Sequence, residues 1–234
     1  MATQVEVLSG AEFVHQLKAE IAAHPKLRVN HPFVRAVNDG TATMDEIRAW
    51  ACQEWKFKEV VPRVVMLRYL ACSDPEFQPK LYEVVEEETA GVSTGTAGHN
   101  QMFLEFAEAI GLTLADMQSA PTLPATAAHL YFCELVCYTL PWFVVMTAQM
   151  GAEGTSPPAM AALARGFTKN YGLSPEAVRF FTVHVEADSD HGSAAEEVAA
   201  RYITSPPLQQ LARETTFRRM ELTYDVWSIE QRHA

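Results

Sequence analysis

The stretch Phe180-Phe181-Thr182-Val183-His184-Val185-Glu186-Ala187-Asp188-Ser189-Asp190-His191 places His184, Asp188 and His191 at i, i+4 and i+7. On an α-helix those positions share one face over two turns. A soluble helix normally puts apolar side chains on its buried stripe. If the stripe faces inward, its two imidazoles and carboxylate need compensation, and a shared metal ion is one way to supply it.

Helical signals continue on both sides. Ser9 caps a helix with Phe13, Leu17 and Ile21 at helical spacing, ending before Pro25. A short helix follows His31-Pro32-Phe33 and stops at Gly40. Thr43 caps a long helix to Leu70, with an expected kink at Pro62. Further helices are expected over residues 76–89, 99–110, 127–150 (bent at Pro141), 157–171, 174–202 and 207–231. The segment Ala90-Gly91-Val92-Ser93-Thr94-Gly95-Thr96-Ala97-Gly98 is too small and glycine-rich for regular structure. No segment alternates like a strand, and no low-complexity linker or repeat divides the chain. The expected class is all-α, one domain spanning 1–234, a bundle of about seven or more helices.

Composition narrows the function. The 234 residues carry a net charge of -11 and are 48% hydrophobic. The acidic balance argues against nucleic acid or an anionic membrane as partner. No stretch is apolar for long enough to span a bilayer, and the first residues lack the pattern of a signal peptide. Cys52, Cys72, Cys133 and Cys137 form no C-x-x-C pair and sit among apolar helical neighbours. Buried free thiols in a reducing compartment are expected, hence a cytoplasmic location.

A metal centre in a helical bundle draws ligands from facing helices. Glu86-Glu87-Glu88 precedes the glycine-rich loop and His99 follows it, so two helix ends can bring one Glu and one His together. Which of the three glutamates serves stays open, with Glu88 preferred. Glu153 closes the apolar segment and ranks above Glu134, which lies inside it. The candidate set is Glu88, His99, Glu153, His184, Asp188 and His191: three carboxylates and three imidazoles, suited to two Fe(II) or Mn(II) ions. The absence of thiolate argues against structural zinc. A single His or Asp on a helix is more often a surface or satisfied core group; the ordered set is what favours ligation. Trp50, Trp55, Phe57, Tyr131 and Trp142 read as core.

The pattern Phe181-x-x-His184-x-x-x-Asp188-x-x-His191 resembles the third ligand helix of the haem-oxygenase-like diiron oxidases. Glu88, His99 with Phe103-Leu104-Glu105-Phe106, and Glu153 with Pro157 and Tyr171-Gly172-Leu173 fit the other ligand segments. His31-Pro32-Phe33 and Asp225-Val226-Trp227 also resemble this superfamily, which includes pyrroloquinoline quinone synthase-like and TenA-like proteins. The resemblance implies a haem-oxygenase-like bundle, two Fe(II) ions, O2 as co-substrate and a homodimer. It further implies a small-molecule substrate, an amino acid or small carboxylic acid, undergoing C–C cleavage, desaturation, hydroxylation or N-oxygenation. Lys56, Arg63 and Arg68 are candidates for holding a substrate carboxylate.

Two departures stand out. The Glu88–His99 loop is longer than the family's. Members that make p-aminobenzoate from their own side chains use a Tyr and a Lys, whereas the matching positions here are Val34 and Leu163, which argues against that chemistry. Cys133 and Cys137 resemble the nucleophilic position of helical thiamin-degrading enzymes, but no nearby His activates them. The alternatives are a metal-free oxidase like the quinone synthase and a non-enzymatic helical interaction protein.

Overall fold

The structure is a computed structural model that describes the backbone of residues 8–228, and the side chains within that range other than those of 186–193. Every regular element among the described residues is helical. In chain order they are α1 Gly10–Ala22, α2 Pro32–Asp39, α3 Met44–Ala71, α4 Gln78–Ala90, α5 His99–Ala109, α6 Leu114–Ser119, α7 Pro124–Thr139, α8 Trp142–Thr147, α9 Gln149–Ala152, α10 Ser156–Tyr171, α11 Arg179–Tyr202 and α12 Pro206–Val226, with short 3-10 turns at Arg28–Asn30 and Glu153–Thr155.

The helix starts follow side-chain capping. Ser9 with Glu12 and Thr43 with Glu46 each form a reciprocal capping box, satisfying backbone N–H groups that the first turn leaves open. A third box, Thr113 with Asp116, starts α6, which the sequence reading passed over. α3 runs unbroken through Pro62. The expected helix 127–150 is instead divided. Pro141 has no N–H to donate and pushes Leu140 into an extended conformation, ψ 155°, so α7 ends and α8 begins anew. α11 starts at Arg179 rather than 174. The expected end at Gln231 lies outside the described residues.

The main core gathers around Trp50, 1% exposed. Its ring lies within 6.3 Å of Phe33, Phe103, Phe106, Phe167, Phe181 and Trp227. These residues come from α2, α3, α5, α10, α11 and the end of α12, so one aromatic cluster ties the two longest helices, α3 and α11, to the rest. Val34 and Leu163 are buried in the same apolar cluster. α3 and α11 both pack against α5, and α3 also packs against α4 and α7. The polar cavity lies where α3, α4, α11 and α12 approach one another.

Candidate metal centre

His184 is buried on α11, one turn from the core residue Phe181. Its Nδ1 lies 2.7 Å from the carbonyl oxygen of Phe180, one turn back. A carbonyl only accepts, so Nδ1 carries the proton and Nε2 keeps its lone pair. Burial and the nearby His99 and Lys58 hold the ring neutral, with its pKa lowered to about 3. A neutral buried imidazole with one nitrogen anchored is the form that ligates metal.

His99 opens α5 and is also buried. Its Nδ1 lies 3.0 Å from Oε2 of Glu88, near the end of α4. Its Nε2 lies 3.1 Å from Oε1 of Glu87. Glu87 is itself fixed by the loop that follows: Ser93 donates from its backbone N at 2.8 Å and from its hydroxyl, and Thr94 from its backbone N at 3.1 Å and its hydroxyl at 2.7 Å. Burial acts to raise the Glu87 carboxyl, but these donors and His99 outweigh it and bring it to about 2. The loop can fold back so tightly because of two glycines. Gly91 ends α4 with φ +62°, and a Cβ on Gly98 would stand 2.3 Å from the Thr89 carbonyl oxygen.

One ligand atom each from Glu88, His99 and His184 lies within 4.8 Å of the other two. Burial acts to raise the Glu88 carboxyl, yet His99, His184 and Lys58 bring it to about 2, so it is ionised. His99 Nδ1 is buried without a well-directed hydrogen bond although the Glu88 oxygen is close. A buried nitrogen and an ionised oxygen this close, beside a third donor, suit a cation placed among them. The donor set, one carboxylate and two imidazoles, suits iron or manganese.

The remaining sequence candidates divide. Glu153 lines the same cavity as Glu88 and His184 and accepts a hydrogen bond at 3.0 Å from Nη1 of Arg68, which is buried on α3. Asp188 and His191 lie on α11, but their side chains are outside the described residues. Lys56 donates to the carbonyl of Gln118 at 2.8 Å in an exposed setting. Arg63 pairs with Glu134 at the surface. Of the three proposed cations, Arg68 reaches the cavity. Lys58 and Arg219, which the sequence reading did not single out, also line it, together with Glu54 and His129. The cavity encloses about 70 Å³. Lys58 Nζ stands 4.6 Å over the Phe180 ring and 3.9 Å from Oε2 of Glu54, whose other oxygen accepts from Trp227 Nε1. All four cysteines are free. Burial pushes the Cys133 and Cys137 thiols up, against the pull of Arg219 and Arg68, so both stay protonated. Among the described residues no helix is long and apolar enough to cross a membrane.

A helical bundle that brings a carboxylate and two imidazoles together suits a metal ion, and the comparisons point the same way. The sequence profile of a family described as iron-containing redox enzymes matches residues 48–224, and the chain belongs to that family. It is 26% identical over 194 residues to a 4-aminobenzoate synthase of Nitrosomonas europaea, covering 77% of this chain and 76% of that one. A pyrroloquinoline-quinone synthase of Ruegeria pomeroyi is 31% identical over 105 residues, 44% of this chain and 43% of that one. Among solved structures, a TenA homologue from Pseudomonas syringae superposes with a TM-score of 0.77 at 15% identity, covering 97% and 96% of the two chains. The fold is thus haem-oxygenase-like and TenA-like, as the resemblance implied.

Proposed function

We propose that the protein is a non-haem diiron, O2-dependent oxidase or oxygenase acting on an amino acid or small carboxylic acid. The observation that carries the proposal is the convergence of Glu88, His99 and His184, with Nε2 of His184 and Nδ1 of His99 both left for a cation. Glu153 is the candidate carboxylate for a second ion, since it lines the same cavity. Asp188 and His191 complete the set by their spacing after His184 on α11.

When bound, two Fe(II) ions supply the electrons that O2 reduction requires. The chain does the rest. Glu87 accepts the proton-bearing Nε2 side of His99 and so aims Nδ1 at the ion position. The Phe180 carbonyl does the same for His184. Phe57, Val61 and Met160 give the cavity apolar walls that limit water.

The metal-free quinone-synthase reading is disfavoured because the convergent donors, Glu88, His99 and His184, are a set suited to a cation. A thiol nucleophile is disfavoured because Cys133 and Cys137 are held protonated.

The test is anaerobic loading with Fe(II), followed by iron analysis and O2 uptake. Close to two irons per chain and O2 consumption are expected, and His184→Ala should lose iron. A wild-type chain that binds no iron, or binds it without reacting with O2, refutes the proposal.

A further inference from the structure

We infer that Arg219 and His129 form a subsite for the carboxylate end of the substrate, selecting a small acid that carries a hydroxyl or amino group beside its carboxylate. The inference rests on the reading of the cavity as a substrate chamber.

The cavity's other cations are engaged. Arg68 holds Glu153, Lys58 faces Glu54, and Arg28 donates to the carbonyl of Ala152. Arg219 is different. It is 5% exposed on α12, and among the described residues no carboxylate lies within ion-pairing distance of it. Its Nη1 meets only the neutral Cys133 sulfur at 2.8 Å, its guanidinium lies 5.6 Å from the Phe57 ring centre, and its Nε is buried with no hydrogen-bond partner. A guanidinium stays charged in any protein setting. Buried and without a carboxylate partner among the described residues, its charge carries a cost that an anionic ligand offsets.

His129 adds the second half. The hydroxyl of Thr223 donates to the Arg219 carbonyl at 2.8 Å, so toward His129 it can only accept. Nε2 of His129, 3.2 Å away, therefore carries the proton. Burial and the surrounding positive charges of Arg219, Arg28 and Lys58 keep the ring neutral. Nδ1 is then a bare acceptor, and it too is buried without a partner. An unmatched donor and an unmatched acceptor, on two residues lining one cavity with Glu88 and His184, fit a ligand offering both an anionic oxygen and an O–H or N–H. The lining charges point the same way: Arg28, Lys58, Arg68 and Arg219 against Glu54, Glu88 and Glu153 leave one positive charge before any metal is added.

The test uses the Fe(II)-loaded protein under anaerobic conditions, with L-alanine, L-lactate, propionate and inorganic phosphate as probes in calorimetric titration. Alanine or lactate should bind more tightly than propionate and phosphate. Arg219→Met should weaken that binding at least tenfold with iron content unchanged, and Arg219→Lys should restore part of it. His129→Phe should remove the preference of alanine or lactate over propionate. Arg219→Met should also leave the thermal midpoint of the ligand-free protein unchanged or raised, because a buried unpaired charge has gone; a purely structural arginine would lower it. Equal binding by wild type and Arg219→Met, no binding by any probe, or phosphate binding as tightly as alanine overturns the assignment. Iron content is read separately, so failure of the metal centre and failure of the subsite are distinguishable.

Discussion

Nε2 of His99 lies 3.1 Å from Oε1 of Glu87, and both side chains are almost wholly buried. Adjacent glutamates thus take opposite sides of one imidazole, with Glu88 on the Nδ1 side at 3.0 Å. Glu88, not Glu87, is the one that converges with both His99 and His184. In the proposed centre Glu88 is therefore the ligand and Glu87 the carboxylate that aims the ring. Glu88→Ala should abolish binding at this site, whereas Glu87→Ala should weaken iron affinity by about 10- to 100-fold. Competition against a chelator of known affinity checks this. The reverse order of losses would exchange the two roles.

The long loop between Glu88 and His99 acts through the same contact. A Cβ on Gly98 would stand 2.3 Å from the Thr89 carbonyl oxygen, so Gly98→Ala forces the 91–98 segment away from α4. Ser93 and Thr94 then retreat from Glu87. The expected cost is about 1–3 kcal/mol of stability, with iron affinity falling in parallel. Gly95→Ala is the control. Gly95 has φ +62° but open space around it, so only the backbone cost of about 1–2 kcal/mol applies, and iron affinity holds. Equal effects of the two variants on iron would show that the loop does not support His99.

Of the expected stripe on α11, His184 converges with Glu88 and His99, while Asp188 and His191 follow it at i+4 and i+7 with side chains outside the described residues. The cavity-lining cations were not legible, because they depend on the rotational phase of α3. Its buried residues include Glu54, Lys58, Val61, Val65 and Arg68, a run at three- and four-residue steps, while Lys56 and Arg63 fall on the opposite side. That step pattern was present in the sequence, masked by charged residues on both faces. Arg219 was harder to find, since it lies among threonines on α12, and only packing against α7 shows which face turns inward. The break at Pro141 was read as a bend because apolar residues continue on both sides. Whether a proline bends or ends a helix depends on whether neighbours hold the preceding residue helical, and Leu140 is extended.

Acid should loosen the metal-free protein before its carboxylates titrate. His31 caps α2 by accepting from the Phe33 N–H at Nδ1, 3.0 Å away, which requires a neutral ring. Burial lowers its pKa from 6.5 to about 4, against the opposing charge of Asp225. Burial also drives His129 well below 6.5. Between 6.5 and the folded values the unfolded chain takes up protons that the folded chain does not. Stability present above about pH 6.5 is thus lost as pH falls, by up to about 1.4 kcal/mol per pH unit for each group. His99, raised by Glu88 and Glu87 against its own burial, runs the other way and only partly offsets this. Thermal midpoints from pH 7.5 to 5 should fall, and His31→Asn, which keeps a capping acceptor without titrating, should flatten the slope. An unchanged slope in that variant would exclude His31 as a contributor.

Arg68 and Glu153 link the stability of the bundle to metal loading. Arg68 is buried and donates to Glu153 Oε1 at 3.0 Å, and Glu153 sits on the short turn that packs against α11. Removing one partner of a buried pair leaves the other's charge poorly compensated, at a cost of about 3–5 kcal/mol. Glu153 is partly exposed, so Arg68→Met should cost nearer the lower figure, about 3 kcal/mol, by chemical denaturation of the metal-free protein. A cation bound near Glu153 would take over the role of the guanidinium. Saturating Fe(II) under anaerobic conditions should therefore stabilise Arg68→Met more than it stabilises the wild type. If the metal raises both denaturation midpoints equally, Glu153 is not a ligand and the second ion must find its carboxylates elsewhere.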